Sequence, residues 1–123
     1  MTVRRDWSDA RRKVEDEGRC RLCSAVGVKL DAAHISGRRF DRPRVEGSSS
    51  RVLYVHPDAI VPLCANTVVG DQVRTGCHYR YDAGEVSLLA VLTLDEQIRA
   101  VRDAGGIESA RIRLDRPAYG GDR

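Results

Sequence analysis

The chain has 123 residues, which is enough for one domain and too few for several. Charged residues make up 32% of it and aromatic residues only 5%, so we expect a thin hydrophobic core that needs a cross-link. The net charge of +3 is modest, and no apolar run is long enough for a signal peptide or a membrane span, so we expect no membrane partner.

The first predicted element is a helix over residues 6–17. Ser8 is a residue type that caps helices, and Gly18 is the type that ends them. Trp7 precedes the predicted cap. We expect its ring to anchor this helix in the core rather than to contact a ligand.

A pair of cysteines follows this helix directly. Cys20 and Cys23 are separated by two residues, a spacing that lets both thiolates of a tight turn bind one ion, as in a zinc knuckle. Residues 26–35 are rich in aliphatic side chains and are predicted to form a hairpin with its turn near Gly27. His34 lies near the end of the second strand, where it could be a satisfied strand histidine or a reactive one.

Residues 36–51 are predicted to form a loop, because they combine glycine, proline, four serines and five arginines. We call this segment the arginine loop. Arginine binds phosphate bidentately, so a cluster of arginines is typical of contact with a nucleic-acid backbone, although the same cluster could be a solvated surface. The candidates for phosphate contacts are Arg38, Arg39, Arg42 and Arg44.

A second pair of cysteines lies further along the chain. A short strand over residues 60–63 is predicted to lead to Cys64, and twelve residues, 65–76, separate it from Cys77. This insert contains the residue types of loops, and its residues 68–69 are expected to lie in a small hairpin.

From Cys77 a helix is predicted to run to about Asp82. His78 and Asp82 are four residues apart, so on a helix they share one face and can reach one metal ion. Two alternatives stay open at this point. His78 could replace a cysteine as a zinc ligand, and Asp82 could be a solvated acid at the end of the helix.

The C-terminal part is predicted to be helical. Residues 86–92 are apolar and are expected in the core, and Thr-Leu-Asp-Glu at 93–96 is a capping box that opens a helix through residue 104. Residues 107–114 also have helical character. One face of the first of these helices is predicted to carry Leu94, Ile98 and Val101.

The four cysteines could form two disulfides or one tetrahedral zinc site. Because no signal peptide is evident, we expect a reduced, intracellular chain, and a reducing compartment favours the metal over disulfides.

In chain order the motifs are CxxC, DAAHISGR, HPDAIVPLC and GCHYRYDAGE, and together they resemble the HNH endonucleases of actinobacteria and their phages over about residues 20–85. The resemblance implies a ββα-metal fold, with a structural Zn²⁺ held by Cys20, Cys23, Cys64 and Cys77. It also implies that His34 is the general base. A catalytic divalent ion (Mg²⁺, Mn²⁺, Ni²⁺ or Zn²⁺) would be held by His78 and Asp82.

The sequence departs from the family pattern at two positions next to the expected site. Ala59 stands where the family often has an asparagine that orients the base, and Asp58 or Asn66 could take over that role. Ala33 precedes His34 where many members have a metal-binding Asp or His, so the ion would have fewer protein ligands unless Asp31 reaches it.

We therefore expect an α+β protein in which a zinc-stapled ββα-metal domain over residues 19–85 follows an N-terminal helix, 1–18. A helical extension, 86–115, and a frayed tail, 116–123, would complete it. The expected function is that of a metal-dependent DNA endonuclease in the cytoplasm, bacterial or phage-encoded, that contacts DNA mainly through phosphates. The expected partners also include a larger protein, such as a phage packaging or host-defence component. The alternative is a zinc-bound DNA-binding or protein-interaction module without catalysis, which Ala33 and Ala59 favour.

Overall fold

The computed structural model describes residues 4–45, 47 and 49–115. Within these residues the chain forms four α-helices and six short strands, so the predicted α+β class is confirmed. No helix in this part of the chain has the length and apolar character that a membrane crossing requires. The predicted frayed tail, 116–123, lies outside the described residues.

Helix α1 spans Ser8–Glu17 and begins at a cap that differs from the predicted one. The Asp6 carboxylate accepts hydrogen bonds from the Ser8 backbone N–H (3.0 Å) and from its hydroxyl (2.6 Å), so Asp6 supplies the capping oxygen and Ser8 is the first helical residue. These bonds lower the pKa of Asp6. The C-terminal prediction is confirmed, because Gly18 is left-handed (φ 61°) and donates its N–H to the Val14 carbonyl.

The centre of the fold is an antiparallel pair of strands, which we call the central ribbon. Strand β2, Leu30–His34, pairs with strand β4, Ile60–Cys64, so that His34 lies opposite Ile60 and Leu30 lies opposite Cys64. The first four residues of β4 are all buried, so this strand is covered on both faces.

The predicted hairpin over residues 26–35 is wrong in its first strand. Val26 forms an isolated bridge with Arg19 instead and closes the turn that holds the first two cysteines. Val26 and Val28 stay largely exposed, whereas pairing of β2 with the apolar β4 buries Ala33 completely. Burial of apolar area favours the distant partner over the local one.

Helices cover both faces of the central ribbon. On one face α1 forms a small cluster, in which Ala10, Val14, Val55 and Ile60 are buried and Trp7 packs against them as the predicted anchor. The other face carries the larger cluster, which combines the cysteine region with the C-terminal segment. Its buried members are Cys20, Ala33, Ile35, Val61, Leu63, Cys77, Tyr81, Leu88, Leu92, Ala100 and Leu114.

The described residues also form two other pairs of strands, separate from the central ribbon. Strand β1, Arg4–Asp6, runs parallel to β3, Val52–Tyr54. The predicted small hairpin in the insert is confirmed as β5, Thr67–Val69, and β6, Gln72–Arg74.

The remaining helices lie where they are predicted: α2 at Cys77–Asp82, α3 at Leu94–Ala104 and α4 at Ile107–Leu114. The capping box of α3 is present, because the Thr93 hydroxyl accepts the Glu96 N–H and the Glu96 carboxylate accepts the Thr93 N–H.

The predicted apolar face of α3 is only partly buried. Leu94 and Ile98 are 70% and 58% exposed, and the helix buries Glu96 and Ala100 instead. The reason lies in the charges that meet Glu96. Its carboxylate lies 2.6 Å from Lys13 Nζ and 2.7 Å from Arg21 Nη1. Burial opposes ionisation of Glu96, but the hydrogen bonds from Arg21 and Lys13 prevail and lower its pKa.

Candidate metal centre and adjoining cleft

The four cysteines meet at one point of the structure. Cys20 and Cys23 lie in the turn after α1, Cys64 ends β4 and Cys77 begins α2. Their four sulfur atoms lie within 4.8 Å of one another, and all four cysteines are free thiols. We call this group the cysteine cluster.

The spacing of the sulfurs fits a tetrahedral metal. Zinc–sulfur bonds of about 2.3 Å in a tetrahedron place neighbouring sulfurs about 3.8 Å apart. The Sγ atoms of Cys23 and Cys64 are separated by 3.8 Å. The cysteine cluster is therefore compatible with a structural metal such as zinc.

The thiols differ in how easily they ionise. Burial opposes ionisation of Cys20, but backbone N–H groups of Cys23, Cys64 and Leu22 prevail and lower its pKa to about 7. Burial raises the pKa of Cys64 and of Cys77, and the neighbouring thiols raise that of Cys77 further. A dense group of thiols cannot all carry negative charge without a cation among them.

The long insert between Cys64 and Cys77 folds back so that its ends touch. The Asn66 side-chain oxygen accepts the Gly76 N–H at 2.7 Å, and the Cys77 N–H donates to the Cys64 sulfur at 3.2 Å. A Cβ at Gly76 would lie 2.3 Å from the Cys64 carbonyl oxygen, so only glycine allows this approach. The insert is thus a hairpin that does not separate the two ligands.

Gly76→Ala is expected to lower the free energy of unfolding by about 2–3 kcal/mol, because its methyl group would overlap backbone atoms that cannot move aside. Gly27 provides the control. Its φ of 68° strains any other residue, but a Cβ there meets nothing within 4 Å, so Gly27→Ala should cost only about 1 kcal/mol. Urea unfolding of both variants checks the order, and a larger loss for Gly27→Ala would contradict it.

His34 is held from one side by a carboxylate. Its Nε2 atom lies 3.0 and 3.2 Å from the two oxygens of Asp41, and Arg5 Nε donates to Asp41 at 3.0 Å. Asp41 is only 4% exposed, and the Trp7 ring packs edge-on against the imidazole, with the ring centroids 5.3 Å apart. The imidazole of His34 is therefore fixed in position.

Asp41 is the partner that sequence reasoning missed. Asp58 lies in a single turn of 3₁₀ helix, where its N–H donates to the His56 ring, and Asn66 braces the insert. In the described part of the chain, the carboxylate that contacts His34 is that of Asp41. The available signal was one acid among the arginines of RRFDRPR, seven residues after His34.

His78 lies between two carboxylates. Its Nδ1 atom is 2.9 Å from Asp31 and its Nε2 atom is 3.3 Å from Asp82, one helical turn further on. Asp31 was expected only as an additional ion ligand, and the structure places it on His78. A carboxylate on one ring nitrogen orients the other nitrogen toward a ligand.

A cleft of about 330 Å³ contains the predicted base and the two predicted ion ligands, but not Asp58 or Asn66. His34, His78 and Asp82 all line it, and so does Arg38. We call it the first cleft. Among the described residues, the cysteine cluster is the one group of three or more side chains placed to hold a metal ion.

The arginines predicted to contact phosphate make different contacts from one another. The Arg38 guanidinium also lies over the Trp7 ring at 5.9 Å, whereas that of Arg39 lies over Phe40 at 4.8 Å. Arg42 donates to the carbonyls of Arg39 and Asp41 and shapes the arginine loop.

No protein-family model, curated protein or solved structure matches this chain.

Proposed function

We propose that this protein is a metal-dependent DNA endonuclease of the HNH type, which hydrolyses phosphodiester bonds in the first cleft. The observation that carries the proposal is the convergence of His34, His78 and Asp82 on one cleft, with His78 directly after Cys77 of the cysteine cluster. Histidine and carboxylate together supply a base for water and ligands for a divalent ion, which are the two requirements of phosphodiester hydrolysis.

His34 is the general base. With Asp41 accepting a hydrogen bond at Nε2, the neutral imidazole carries its proton there and presents Nδ1 as the acceptor. Arg5 holds Asp41 in place. A water molecule loses a proton to Nδ1 as its oxygen bonds to phosphorus. The bond from phosphorus to the leaving sugar oxygen breaks, and that oxygen takes a proton from solvent.

His78 and Asp82 are the residues that would hold the divalent ion, and the structural metal would be zinc in the cysteine cluster. Asp31 at Nδ1 of His78 leaves Nε2 facing the same side as the Asp82 carboxylate. When bound there, a divalent ion would supply positive charge that stabilises the charge developing on the phosphate oxygens. Arg38, which lines the same cleft, adds a fixed positive charge for the phosphate.

The test is nicking of supercoiled plasmid with added Mg²⁺, Mn²⁺ or Ni²⁺ and without added ion. His34→Ala is expected to lower the nicking rate by roughly 10²–10⁴-fold, because a general base contributes about that factor. The folding of the variant and its metal content should match those of the wild type, since His34 contributes no ligand to the cysteine cluster.

Asp41→Asn and Asp71→Asn form a matched pair of variants. Asp41 contacts the base, whereas Asp71 is exposed in the turn between β5 and β6. The first change should slow nicking and the second should leave it unchanged. Undiminished nicking by His34→Ala would contradict the assignment of the base. A folded, metal-loaded wild type that binds DNA but nicks with none of these ions would replace the proposal with a binding module.

A further inference from the structure

A second cleft is lined by a later part of the arginine loop than the first. It has a volume of about 520 Å³ and is bounded by residues 40, 42–44 and 47, by the end of β3 and by α3. The residues that matter most for its chemistry are Phe40, Arg42, Arg44, Tyr54, Arg99 and Arg102.

Positive charge dominates the described lining of this second cleft. Four arginines face a single described carboxylate, that of Asp103, which is paired with Arg99 at 3.3 Å. The Arg44 side chain is 66% exposed and lies 3.7 Å from Asp9, a distance that leaves its guanidinium available to a ligand. Such a concentration of guanidinium groups suits a phosphate, which arginine binds bidentately.

Flat rings give the second cleft a further property. The Arg44 guanidinium lies over the Tyr54 ring at 4.8 Å, and the His56 ring meets Tyr54 edge-on at 5.9 Å. Tyr54 donates its hydroxyl to Asp9 at 2.5 Å, which fixes the ring. Burial, and then the charge of Arg99, lower the pKa of His56. Rings and guanidinium planes are surfaces on which nucleobases stack.

From this combination we infer that the second cleft binds a nucleotide unit, with its phosphate on the arginines and its base against the Tyr54–Arg44 stack. The inference rests on the proposed function for the origin of this nucleotide. The nucleotide belongs to the DNA strand whose scissile phosphate occupies the first cleft, at a position that flanks the scissile bond. Arg38 lines the first cleft and Arg44 the second, and six residues of chain span at most about 21 Å. That limit allows no more than about six nucleotides of one strand, at roughly 3.4 Å each, between the two arginines.

The experiment measures binding of a short fluorescein-labelled DNA strand by anisotropy, without added catalytic ion. The Arg44→Gln/Arg102→Gln double variant is expected to raise Kd by about tenfold or more. The dependence of log K on log salt, measured between about 50 and 200 mM, should become less steep by about one unit for each phosphate that the variant no longer binds.

The matched control is Arg12→Gln/Arg111→Gln, which removes the same charge from exposed positions on α1 and α4. Its Kd should change by less than about twofold. Equal increases of Kd in the two double variants would overturn the inference. No increase in either would also overturn it if adenosine monophosphate fails to bind through Arg44 and Arg102.

Adenosine monophosphate provides a second arm of the experiment. In one outcome, adenosine monophosphate binds through Arg44 and Arg102 while the Kd of the DNA strand does not depend on these arginines. The second cleft then takes a free nucleotide, and the inferred phosphate and base contacts stand with a free nucleotide as the ligand. The nicking assay is read separately. Arginine-dependent binding without nicking would count against the proposed function alone, and nicking without arginine-dependent binding would count against this inference alone.

Discussion

Cys20→Ser is expected to abolish metal binding and to leave the chain without a stable fold. Cys20 is fully buried in the larger core cluster, and its sulfur lies among those of the other three cysteines, on β4, on α2 and in its own turn. Apparent binding energies of structural zinc are about 10–16 kcal/mol, which is as large as the whole stability of a small domain, about 5–15 kcal/mol. Losing the metal therefore removes most of what stabilises the fold.

Circular dichroism and elemental analysis of the purified protein check this result. Ala25→Ser is the matched control, because it introduces the same hydroxyl into the same turn without removing a sulfur ligand. It should keep the metal and lose no more than about 1 kcal/mol. A Cys20→Ser protein that retains one metal ion and melts with the wild type would show that the cysteine cluster is not the source of stability.

Local signals in the sequence predicted the helices well. The glycine after α1 and the capping box of α3 act within one turn of chain, so their effect does not depend on the rest of the fold. The partner of β2 is a different kind of problem. Its apolar residues predict a strand, but only the burial of β4 on both faces decides which strand it pairs with.

The same distinction separates the site residues that were predicted from the one that was missed. Cysteine spacing and the four-residue spacing of His78 and Asp82 are local. The structure brings the four cysteines together and places His78 and Asp82 in the lining of the first cleft. The contact of Asp41 with His34 depends on how the arginine loop folds back over β1, where Arg5 meets the same carboxylate. In the sequence, an acid among arginines is indistinguishable from a solvated one.

Glu96→Ala is expected to destabilise the protein by about 3–5 kcal/mol, the usual cost of removing one partner from a buried ion pair. Glu96 is fully buried, and its loss would leave Lys13 and Arg21 without their shared carboxylate and would remove half of the capping box of α3. Arg21 retains its second partner, Glu17, which is partly exposed. Urea unfolding measures the loss.

The pH dependence follows from the lowered pKa of Glu96. Its ordinary value is 4.5, and the folded value lies below that. The stability that ionised Glu96 contributes is therefore fully present above about pH 4.5 and is lost as the pH falls through the folded pKa. Glu96→Gln should cost less than the alanine change, because its side-chain oxygen can still accept the Thr93 N–H. The difference between this variant and the wild type should shrink in acid.

Glu108→Ala is the control for the alanine change, since Glu108 is an exposed acid in the first turn of α4. It should cost no more than about 0.5 kcal/mol. A larger effect at Glu96 would show that α3 is tied to α1 and to the cysteine turn by charge, through Lys13 and Arg21. The two clefts would then be positioned by one core. Helix α3 carries Arg99 and Arg102 of the second cleft, and Glu96 on the same helix pairs with Arg21, which lies between Cys20 and Cys23. Equal costs at Glu96 and Glu108 would contradict this coupling.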